Sequence, residues 1–222
     1  MDTVRQFRDT LNRNFSRIGK ALSSHKRLEL LELLHQCPKN VDALAANTEM
    51  SSANTSQHLQ VLRAAGLVES SREGTHIFYR LSSELVWELV RTVRQVAETH
   101  LADVDRAIAQ LRENQHSLEE VDRVKLAKLA AAGKVIVLDV RPSDEYEAAH
   151  LPYAISVPLD QLESFLNKLP ADQKIVAYCR GPYCLLAGHA VKILRKHGFQ
   201  ANELGEGVAE WQERGLEVVT PT

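Results

Sequence analysis

Residues 174–185, KIVAYCRGPYCL, join an apolar segment to a short loop that starts with a cysteine. The apolar run at 175–178 predicts a buried strand, and the pattern after it predicts a helix over about 185–197. Between them, Gly181 can adopt a positive φ and Pro182 restricts the backbone, so the loop can be rigid before any ligand binds. The segment therefore predicts a strand, a tight loop and a helix in immediate succession.

Cys179 and Arg180 are the candidate catalytic residues of this loop. Loop amides and the positive end of a helix both stabilise a thiolate and an anion bound to it, and Arg180 would add a positive charge beside the sulfur. Two other interpretations are an ordinary buried cysteine and a cysteine phosphatase. A phosphatase needs an arginine to clamp the phosphate, where this chain has Leu185. The loop is one residue shorter than that of a phosphatase, so it suits a group smaller than phosphate. A single sulfur atom carried on Cys179 is such a group.

The length and composition are those of a globular protein with two small domains or one large domain. The chain has 222 residues, of which 44% are hydrophobic and 25% are charged. Its formal charge is +3 over residues 1–95 and −5 over residues 96–222, which suggests two domains with different partners. Cys37, Cys179 and Cys184 are too few for a secreted disulfide scaffold, and neither a signal core nor a membrane span is visible. We therefore expect a cytoplasmic protein with reduced thiols and no membrane partner.

The front of the chain shows the pattern of a helix-turn-helix. A helical pattern over about 4–34 is followed by a break and by a short predicted helix at 41–47. Ser51 or Ser52 can cap the next helix, which is predicted to end at Gly66. Two short helices joined by a turn of about three or four residues are the skeleton of this motif.

The second of these helices has an apolar face and a polar N-terminal half. Leu59 and Leu62 fall on one side and are expected to pack inward. The polar side chains, which we expect to meet base edges and phosphates, are Ser52, Asn54, Thr55, Ser56, Gln57, His58 and Gln60. These residues are the predicted DNA contacts of a recognition helix.

A β-hairpin is predicted after this helix, over residues 67–81. Alternating polar and apolar residues flank a turn at Glu73 and Gly74. A hairpin in this position is the wing of a winged helix, and it places Arg72 and Arg80 for contacts with DNA phosphates. The alternative is a small helical domain that uses the same geometry for protein contacts.

Three segments of the first 82 residues resemble the ArsR family of winged-helix repressors: GKALSSHKRLELLELL, VDALAANTEMSSANTSQHLQVLRAAGLVES and REGTHIFYRL. The resemblance implies a homodimer that binds a palindromic operator in double-stranded DNA and is released when an inducer is sensed. Residues 84 to about 114 are predicted to form one long amphipathic helix. In the family, this segment and the N-terminal helix form the dimer interface; a helix that packs only within its own subunit is the alternative.

Many members of this family sense metal ions through side chains that this chain lacks. Glu98 and His100 match part of one ligand set, but the position of its last histidine is occupied by Leu111. The cysteine pair of another ligand set is reduced here to Cys37 alone. We therefore expect no metal site, and no cofactor is implied.

A different architecture is predicted in the second half of the chain. The uninterrupted apolar run at 134–141 is typical of a strand buried on both faces of a parallel sheet. Further strands are predicted at 155–157, 175–178 and 201–204, with a helix at 160–169. Alternating helices and strands of this kind predict an α/β fold.

Three pieces of this half resemble a rhodanese domain: VLDVRPSDEYEAAHLPYAISVPL, CRGPYC and LGEGVAEWQERGLEV. The resemblance implies that Cys179 accepts sulfur as a persulfide and that the amides of the active-site loop hold it. The residues of that loop are Arg180, Gly181, Pro182, Tyr183 and Cys184. We predict two domains, a mainly α winged helix-turn-helix domain for DNA binding and dimerisation over 1–117 and a rhodanese-like α/β domain with a parallel sheet over 118–222.

Outside the loop, two parts of the rhodanese resemblance bear on structure. Asp139 and Arg141 are interpreted as structural residues, a carboxylate and a guanidinium that tie neighbouring loops together. The family usually has glycine where this chain has Ala149 and Tyr153, so the geometry of that turn is expected to differ. These two replacements of glycine lie outside the active-site loop.

A repressor and a sulfur carrier on one chain predict a regulator of genes for sulfide or persulfide handling. The rhodanese domain would sense, deliver or clear sulfur from a donor such as thiosulfate, polysulfide or a low-molecular-weight persulfide. Two alternatives are a sulfurtransferase localised by its DNA-binding half and a general redox switch through a Cys179–Cys184 disulfide. In the switch, Cys184 is a resolving thiol that attacks a modified Cys179; otherwise Cys184 only packs at the start of the helix.

Overall fold

The computed structural model describes residues 2–114 and 123–221. The chain divides into two compact units, Met1–Leu101 and Ala102–Thr222, here called the N-terminal unit and the C-terminal unit. The predicted domain boundary, between residues 117 and 118, lies outside the described residues and stays a prediction. Among the helices that are described, none is both long and apolar enough to cross a membrane.

The N-terminal unit is mainly helical and carries a small antiparallel sheet. Its helices are α1 (Asp2–Leu22), α2 (His25–Gln36), α3 (Val41–Thr48), α4 (Ser52–Ala64) and α5 (Glu84–His100). Its strands are β1 (Lys39–Asn40), β2 (Val68–Glu73) and β3 (His76–Leu81). The helical pattern predicted over 4–34 is interrupted at Ser23 and Ser24, where the extended backbone of Ser24 separates α1 from α2.

Side chains cap both helices of the predicted helix-turn-helix. The Asn40 side chain accepts a hydrogen bond from the N–H of Ala43 at 2.8 Å, at the start of α3. The Ser51 hydroxyl accepts one from the N–H of Asn54 at 3.3 Å, at the start of α4. These caps satisfy N–H groups that have no partner inside their own helix. Glu49, with φ of 53°, ends α3 and turns the chain toward α4.

The core of this unit is made largely of leucines from α2, α3 and α4. Leu59 and Leu62 of α4 are fully buried, as their spacing predicts. They join a cluster that includes Leu30, Leu31, Leu34, Leu44, Trp87 and Val90. Because this burial fixes the rotation of α4, the side of the helix opposite these leucines is left exposed.

The hairpin of β2 and β3 forms where it is predicted. Glu73 lies opposite His76, and Gly74 turns the chain with φ of 61°, a conformation that glycine adopts without strain. The strand β1 pairs with the other edge of β3, so the sheet order is β1-β3-β2. The order helix, helix, hairpin confirms the predicted winged helix-turn-helix.

The single long helix predicted over 84–114 is wrong. The structure has two helices, α5 and α6 (Ala102–Asn114), separated by Leu101 with φ of −111° and ψ of 103°. Asp103 and Asp105 lie in the first turn of α6, where carboxylates favour a helix start because they face the positive end of its dipole. Nothing in the apolar periodicity marks this break.

The C-terminal unit also contains a parallel sheet between helices. After α6, its helices are α7 (Arg123–Ala131), α8 (Ser143–Ala148), α9 (Leu162–Phe165), α10 (Leu186–Lys196) and α11 (Val208–Glu213). Its strands are β4 (Val135–Asp139), β5 (Ala154–Ser156), β6 (Lys174–Tyr178) and β7 (Ala201–Glu203). The helix predicted over 160–169 is a short α-helix between two 3₁₀ turns.

The sheet places β6 in the interior and the active-site loop at its end. All four strands are parallel, in the order β5-β4-β6-β7. Alternate residues of β6 enter two apolar clusters, with Ile175 and Ala177 in one and Val176 and Tyr178 in the other. A strand buried on both faces explains the uninterrupted apolar run. Cys179 follows directly at the carboxyl edge of the sheet, where α/β folds form their binding sites.

Candidate functional site

The active-site loop runs from Cys179, after β6, to Leu185, before α10. Inside it, the N–H of Cys184 donates to the carbonyl oxygen of Gly181 at 3.1 Å, which closes a tight turn. Gly181 has φ of 149°. Because larger side chains rarely adopt that φ, glycine is the residue that suits this position.

A second glycine lets the chain pass close to this loop. A Cβ atom at Gly207 would lie 2.5 Å from the carbonyl oxygen of Arg180 and 2.7 Å from that of Cys179. Real Cβ atoms do not approach backbone atoms this closely. The absence of a side chain at Gly207 therefore permits the contact between the start of α11 and the loop.

The Cys179 thiol is deeply buried. Its side chain is 1% exposed, and its Sγ–H donates to the carbonyl oxygen of Cys184 at 3.4 Å. Burial raises the pKa of Cys179 well above its usual value, although the amides of Ala187 and Gly181 act in the opposite direction. These two amides favour the thiolate, but burial outweighs their effect.

Cys184 differs from Cys179 in both exposure and acidity. It is only partly buried. The adjacent Cys179 thiol lowers the pKa of Cys184 to about 7, and the amides of Arg180 and Leu186 act in the same direction. Sequence analysis missed that this thiol is the more acidic one, since both cysteines lie near the same helix start.

The charge of Arg180, which we expected beside the sulfur, is paired with a carboxylate, and its part in catalysis stays a prediction. The Arg180 guanidinium donates two hydrogen bonds to the carboxylate of Glu145 on α8. Nη2 lies 2.7 Å from Oε1, and Nε lies 2.9 Å from Oε2. Glu145 is fully buried. Because the two charges largely compensate each other, Arg180 is a residue that joins the loop to α8. Its charge is the smallest contribution to the low pKa of Cys184.

Glu210 is a second acidic residue at the loop that sequence analysis missed. One of its carboxylate oxygens lies 3.0 Å from the place where a Cβ of Gly181 would be. The other accepts a hydrogen bond from the N–H of Gly207 at 2.8 Å. Burial raises the pKa of Glu210. The pattern of a capping residue with Glu three positions later was the available signal.

The outer side of the loop is apolar. Pro182, Tyr183 and Leu185 are exposed on either side of Cys184 in the sequence. These side chains give the entrance to the thiols a hydrophobic rim. The predicted loop residues therefore lie together, with the Cys179 thiol buried, Cys184 partly buried and three apolar side chains facing solvent.

Asp139 and Arg141 form a buried network, which agrees with their interpretation as structural residues. Arg141 Nη2 lies 2.6 Å from Asp139 Oδ2 and 2.7 Å from the carbonyl oxygen of Ala149. The Tyr178 hydroxyl donates to the same Asp139 oxygen at 2.5 Å. At the turn where the family usually has glycine, Tyr153 adopts φ of 63°, at a cost of order 1 kcal/mol.

The predicted DNA contacts of α4 fall into three groups. Asn54, Gln57 and Gln60 are exposed, while Ser56 and His58 are partly exposed. The Ser52 hydroxyl donates to Asp42 at 2.9 Å. Thr55 is fully buried, and its hydroxyl donates to the carbonyl oxygen of Ser51 at 3.0 Å. Thr55 was therefore wrongly included among the exposed contacts, because it precedes Leu59 by one helical turn and shares its buried face.

Both predicted arginines of the wing are exposed. Arg80 pairs with Glu69 on the neighbouring strand, at 2.8 Å. The Nε of Arg72 donates to the carbonyl oxygen of Gly74 at 3.2 Å. Exposed ion pairs of this kind contribute about 0–1 kcal/mol, so DNA phosphates can replace these partners.

Comparison with known proteins identifies both parts of the chain. Residues 24–70 match the family described as bacterial regulatory protein, arsR family, and residues 122–214 match the rhodanese-like domain. The HTH-type transcriptional regulator Rv0324 of Mycobacterium tuberculosis is 42% identical over 203 residues, which cover 91% of this chain and 89% of that protein. Both predicted family resemblances are thereby confirmed.

Two further proteins are similar to one unit each. A protein of Allochromatium vinosum named Sulfurtransferase is 27% identical over 105 residues, which cover 47% of this chain and 97% of that protein. An NMR structure of a homodimeric winged helix-turn-helix DNA-binding domain from Mycobacterium bovis is 42% identical and has a TM-score of 0.40. That match covers 42% of this chain and 86% of the domain.

Proposed function

Because this chain belongs to the ArsR family of transcriptional regulators and carries a C-terminal rhodanese-like domain, we propose that it is a repressor whose operator binding responds to sulfane sulfur. The sulfur is held on the active-site loop as a Cys179 persulfide. One observation carries the proposal: a buried cysteine, with the amides of Gly181 and Ala187 directed at its sulfur, lies on the same chain as a winged helix.

The chemistry needs only a thiolate and a sulfur donor. A cysteine thiolate attacks the outer sulfur of thiosulfate, polysulfide or a low-molecular-weight persulfide, and sulfite or a shorter thiolate leaves. The product is a persulfide, Cys179–S–S⁻. Loop amides can stabilise its charge because their N–H groups already point toward the sulfur.

The DNA-binding part of the proposal rests on α4 and the hairpin. Asn54, Gln57 and Gln60 offer amide groups on the exposed side of α4, and amide side chains pair well with adenine in the major groove. Arg72 and Arg80 extend from the hairpin and are suited to phosphates. We propose double-stranded operator DNA as the partner.

A homodimer accounts for the apolar surface of α1 and α5. Phe7 and Phe15 on α1 are 63% and 66% exposed, and Val93 and Val96 on α5 are also exposed. Exposed large apolar side chains of this kind are typical of an interaction surface. Two copies joined through these helices present two α4 helices, which matches a palindromic operator.

Two other functions remain as candidates, each favoured by one observation. The rhodanese-like domain favours a sulfurtransferase that the DNA-binding unit only localises. The contact of the Cys179 sulfur with Cys184, 3.4 Å from its carbonyl oxygen, favours a general redox switch through a disulfide. The three functions differ in what they predict for DNA binding.

Operator affinity under different sulfur treatments separates the three functions. An operator is selected from a random double-stranded library with the reduced protein, and its affinity is measured by fluorescence anisotropy. The wild type and Cys179→Ser are each compared untreated and after thiosulfate, polysulfide or peroxide. We expect polysulfide to weaken binding of the wild type about tenfold and to leave Cys179→Ser unchanged.

The other outcomes contradict the proposal in distinct ways. Sulfur uptake with no change in operator affinity would indicate a localised sulfurtransferase. Release by peroxide as strong as release by polysulfide would indicate a general redox switch. Release of Cys179→Ser by polysulfide would place the sensing residue elsewhere.

A further inference from the structure

We propose that Cys184 is the thiol that first takes sulfur from the donor, and that Cys179 receives it from Cys184 in a second step. This inference rests on the proposed sulfur chemistry of the loop and reverses the expected order of its two cysteines. Cys184 thereby becomes a catalytic residue. The sequence predicts instead that Cys184 is either a resolving thiol or a residue that only packs at the start of the helix.

Access to solvent favours Cys184 as the entry point. Cys179 is 1% exposed, so a donor molecule cannot approach its sulfur without movement of the loop. Cys184 is only partly buried, and its neighbours Tyr183 and Leu185 are exposed. An attacking thiol must reach the donor along the line of the S–S bond that breaks, so accessibility decides which sulfur reacts first.

Acidity favours the same residue. The adjacent Cys179 thiol lowers the pKa of Cys184 to about 7, so this thiol ionises near neutral pH. Burial raises the pKa of Cys179 well above its usual value, which disfavours its thiolate. The charged groups beside the loop are Arg180, its partner Glu145 and Glu210. The thiolate is the reactive species, and a pKa near ambient pH gives the best nucleophile.

The first step is an exchange at the donor. The Cys184 thiolate attacks the outer sulfur of a persulfide R–S–S–H, the donor S–S bond breaks, and R–S⁻ leaves and takes a proton from water. Cys184 becomes Cys184–S–S–H. No electron is gained or lost overall, so no other oxidant is needed.

The second step moves the sulfur inward over a short distance. The Cys179 sulfur lies 3.4 Å from the carbonyl oxygen of Cys184, so we expect an outer sulfur on Cys184 to be within reach of Cys179. Cys179 loses its proton and attacks that sulfur as the thiolate, the electron pair of the broken S–S bond returns to Cys184, and Cys184 takes up the proton. The products are Cys179–S–S–H and Cys184–S–H. Sulfur on Cys179 is then protected from other thiols by burial.

The order of the two thiols is tested by the rate of sulfur uptake at each. Inorganic polysulfide is added to the full-length wild type, Cys184→Ser, Cys179→Ser and the control Cys37→Ser. Samples are quenched by alkylation over time, and peptide mass spectrometry locates the added sulfur. Cys37 is a suitable control because it is buried in the N-terminal unit.

We expect Cys184→Ser to slow sulfur uptake at Cys179 about tenfold, Cys179→Ser to accumulate sulfur on Cys184, and Cys37→Ser to behave as the wild type. A second measurement needs no substitution. In the wild type, iodoacetamide should modify Cys184 first, with a rate that rises to half its maximum near pH 7.

Two results would overturn the inference, and they are distinguishable. Uptake at Cys179 in Cys184→Ser at the wild-type rate, with Cys179 alkylated first in the wild type, would restore Cys179 as the entry thiol and leave the proposed function intact. If neither cysteine of the loop took up sulfur in the wild type, both the proposed function and this inference would be wrong.

Discussion

The guanidinium of Arg180 and the carboxylate of Glu145 form a forked ion pair that fastens the active-site loop to α8, with both oxygens within 2.9 Å of a guanidinium nitrogen. Glu145 is fully buried, and the Arg180 side chain is 14% exposed. A buried carboxylate needs such a partner because it has lost its hydration. The pair therefore determines both the position of the loop and the charge near its sulfurs.

Replacement of Glu145 tests the importance of this pair. We expect Glu145→Gln to lower the free energy of unfolding by about 3 kcal/mol, because it leaves the Arg180 charge buried without a counter-charge. Urea unfolding measures the change. The exposed Glu163→Gln is the control and should change stability by less than about 0.5 kcal/mol. Equal effects of the two substitutions would show that the pair is not required.

The close contact at Gly207 gives a second prediction. A methyl group there would overlap the carbonyl oxygens of Arg180 and Cys179, so Gly207→Ala should cost about 2 kcal/mol and slow sulfur uptake. Thermal unfolding and persulfide labelling measure the two effects. Gly19→Ala, at a helical position with no atom within 4 Å, should stabilise the protein slightly. Normal sulfur uptake by Gly207→Ala would contradict the described loop geometry.

Gln57 is exposed and Thr55 is buried, so substitutions at these two positions test which side of α4 contacts DNA. Gln57→Ala removes an exposed amide, so we expect operator binding to weaken by about 1–3 kcal/mol with unchanged stability. Thr55→Ser keeps the buried hydroxyl and loses a methyl group, so it should lower stability and leave operator affinity unchanged. Anisotropy and calorimetry distinguish the two. The opposite pattern would mean that α4 meets DNA by its other side.

The exposed phenylalanines of α1 predict the oligomeric state. Phe15→Glu places a charge in the proposed interface, so the protein should sediment as a monomer and lose most of its operator affinity. Asn14→Glu adds the same charge at the neighbouring exposed position and should remain a dimer. Analytical ultracentrifugation measures the oligomeric state of both variants. A dimer of Phe15→Glu as stable as the wild type would place the interface elsewhere.

The features that sequence predicts correctly are those governed by local pattern. Ser51 caps α4 and Gly74 turns the hairpin because each acts on backbone within a few residues. The buried run of β6 predicts its central place in a parallel sheet. Family resemblance then supplied the sulfur chemistry, which periodicity alone does not contain.

The features that sequence missed depend on tertiary contacts. Arg180 meets Glu145 across 35 positions of sequence, and no local rule pairs them. The break at Leu101 occurs without glycine or proline, so the apolar stripe continues through it. The burial of Cys179 and the partial exposure of Cys184 are set by packing around the loop, while the sequence places both beside the same helix.

The central claim is that sulfur on Cys179 controls operator binding, and one time course tests it most directly. Polysulfide is added to the protein–operator complex, and each aliquot is divided between peptide mass spectrometry, which locates the sulfur on Cys179 or Cys184, and anisotropy. We predict that the fraction carrying a sulfur adduct of about 32 Da rises in parallel with the fraction released from DNA, and that Cys179→Ser is not released. Full loading of Cys179 while the operator stays bound would contradict the claim.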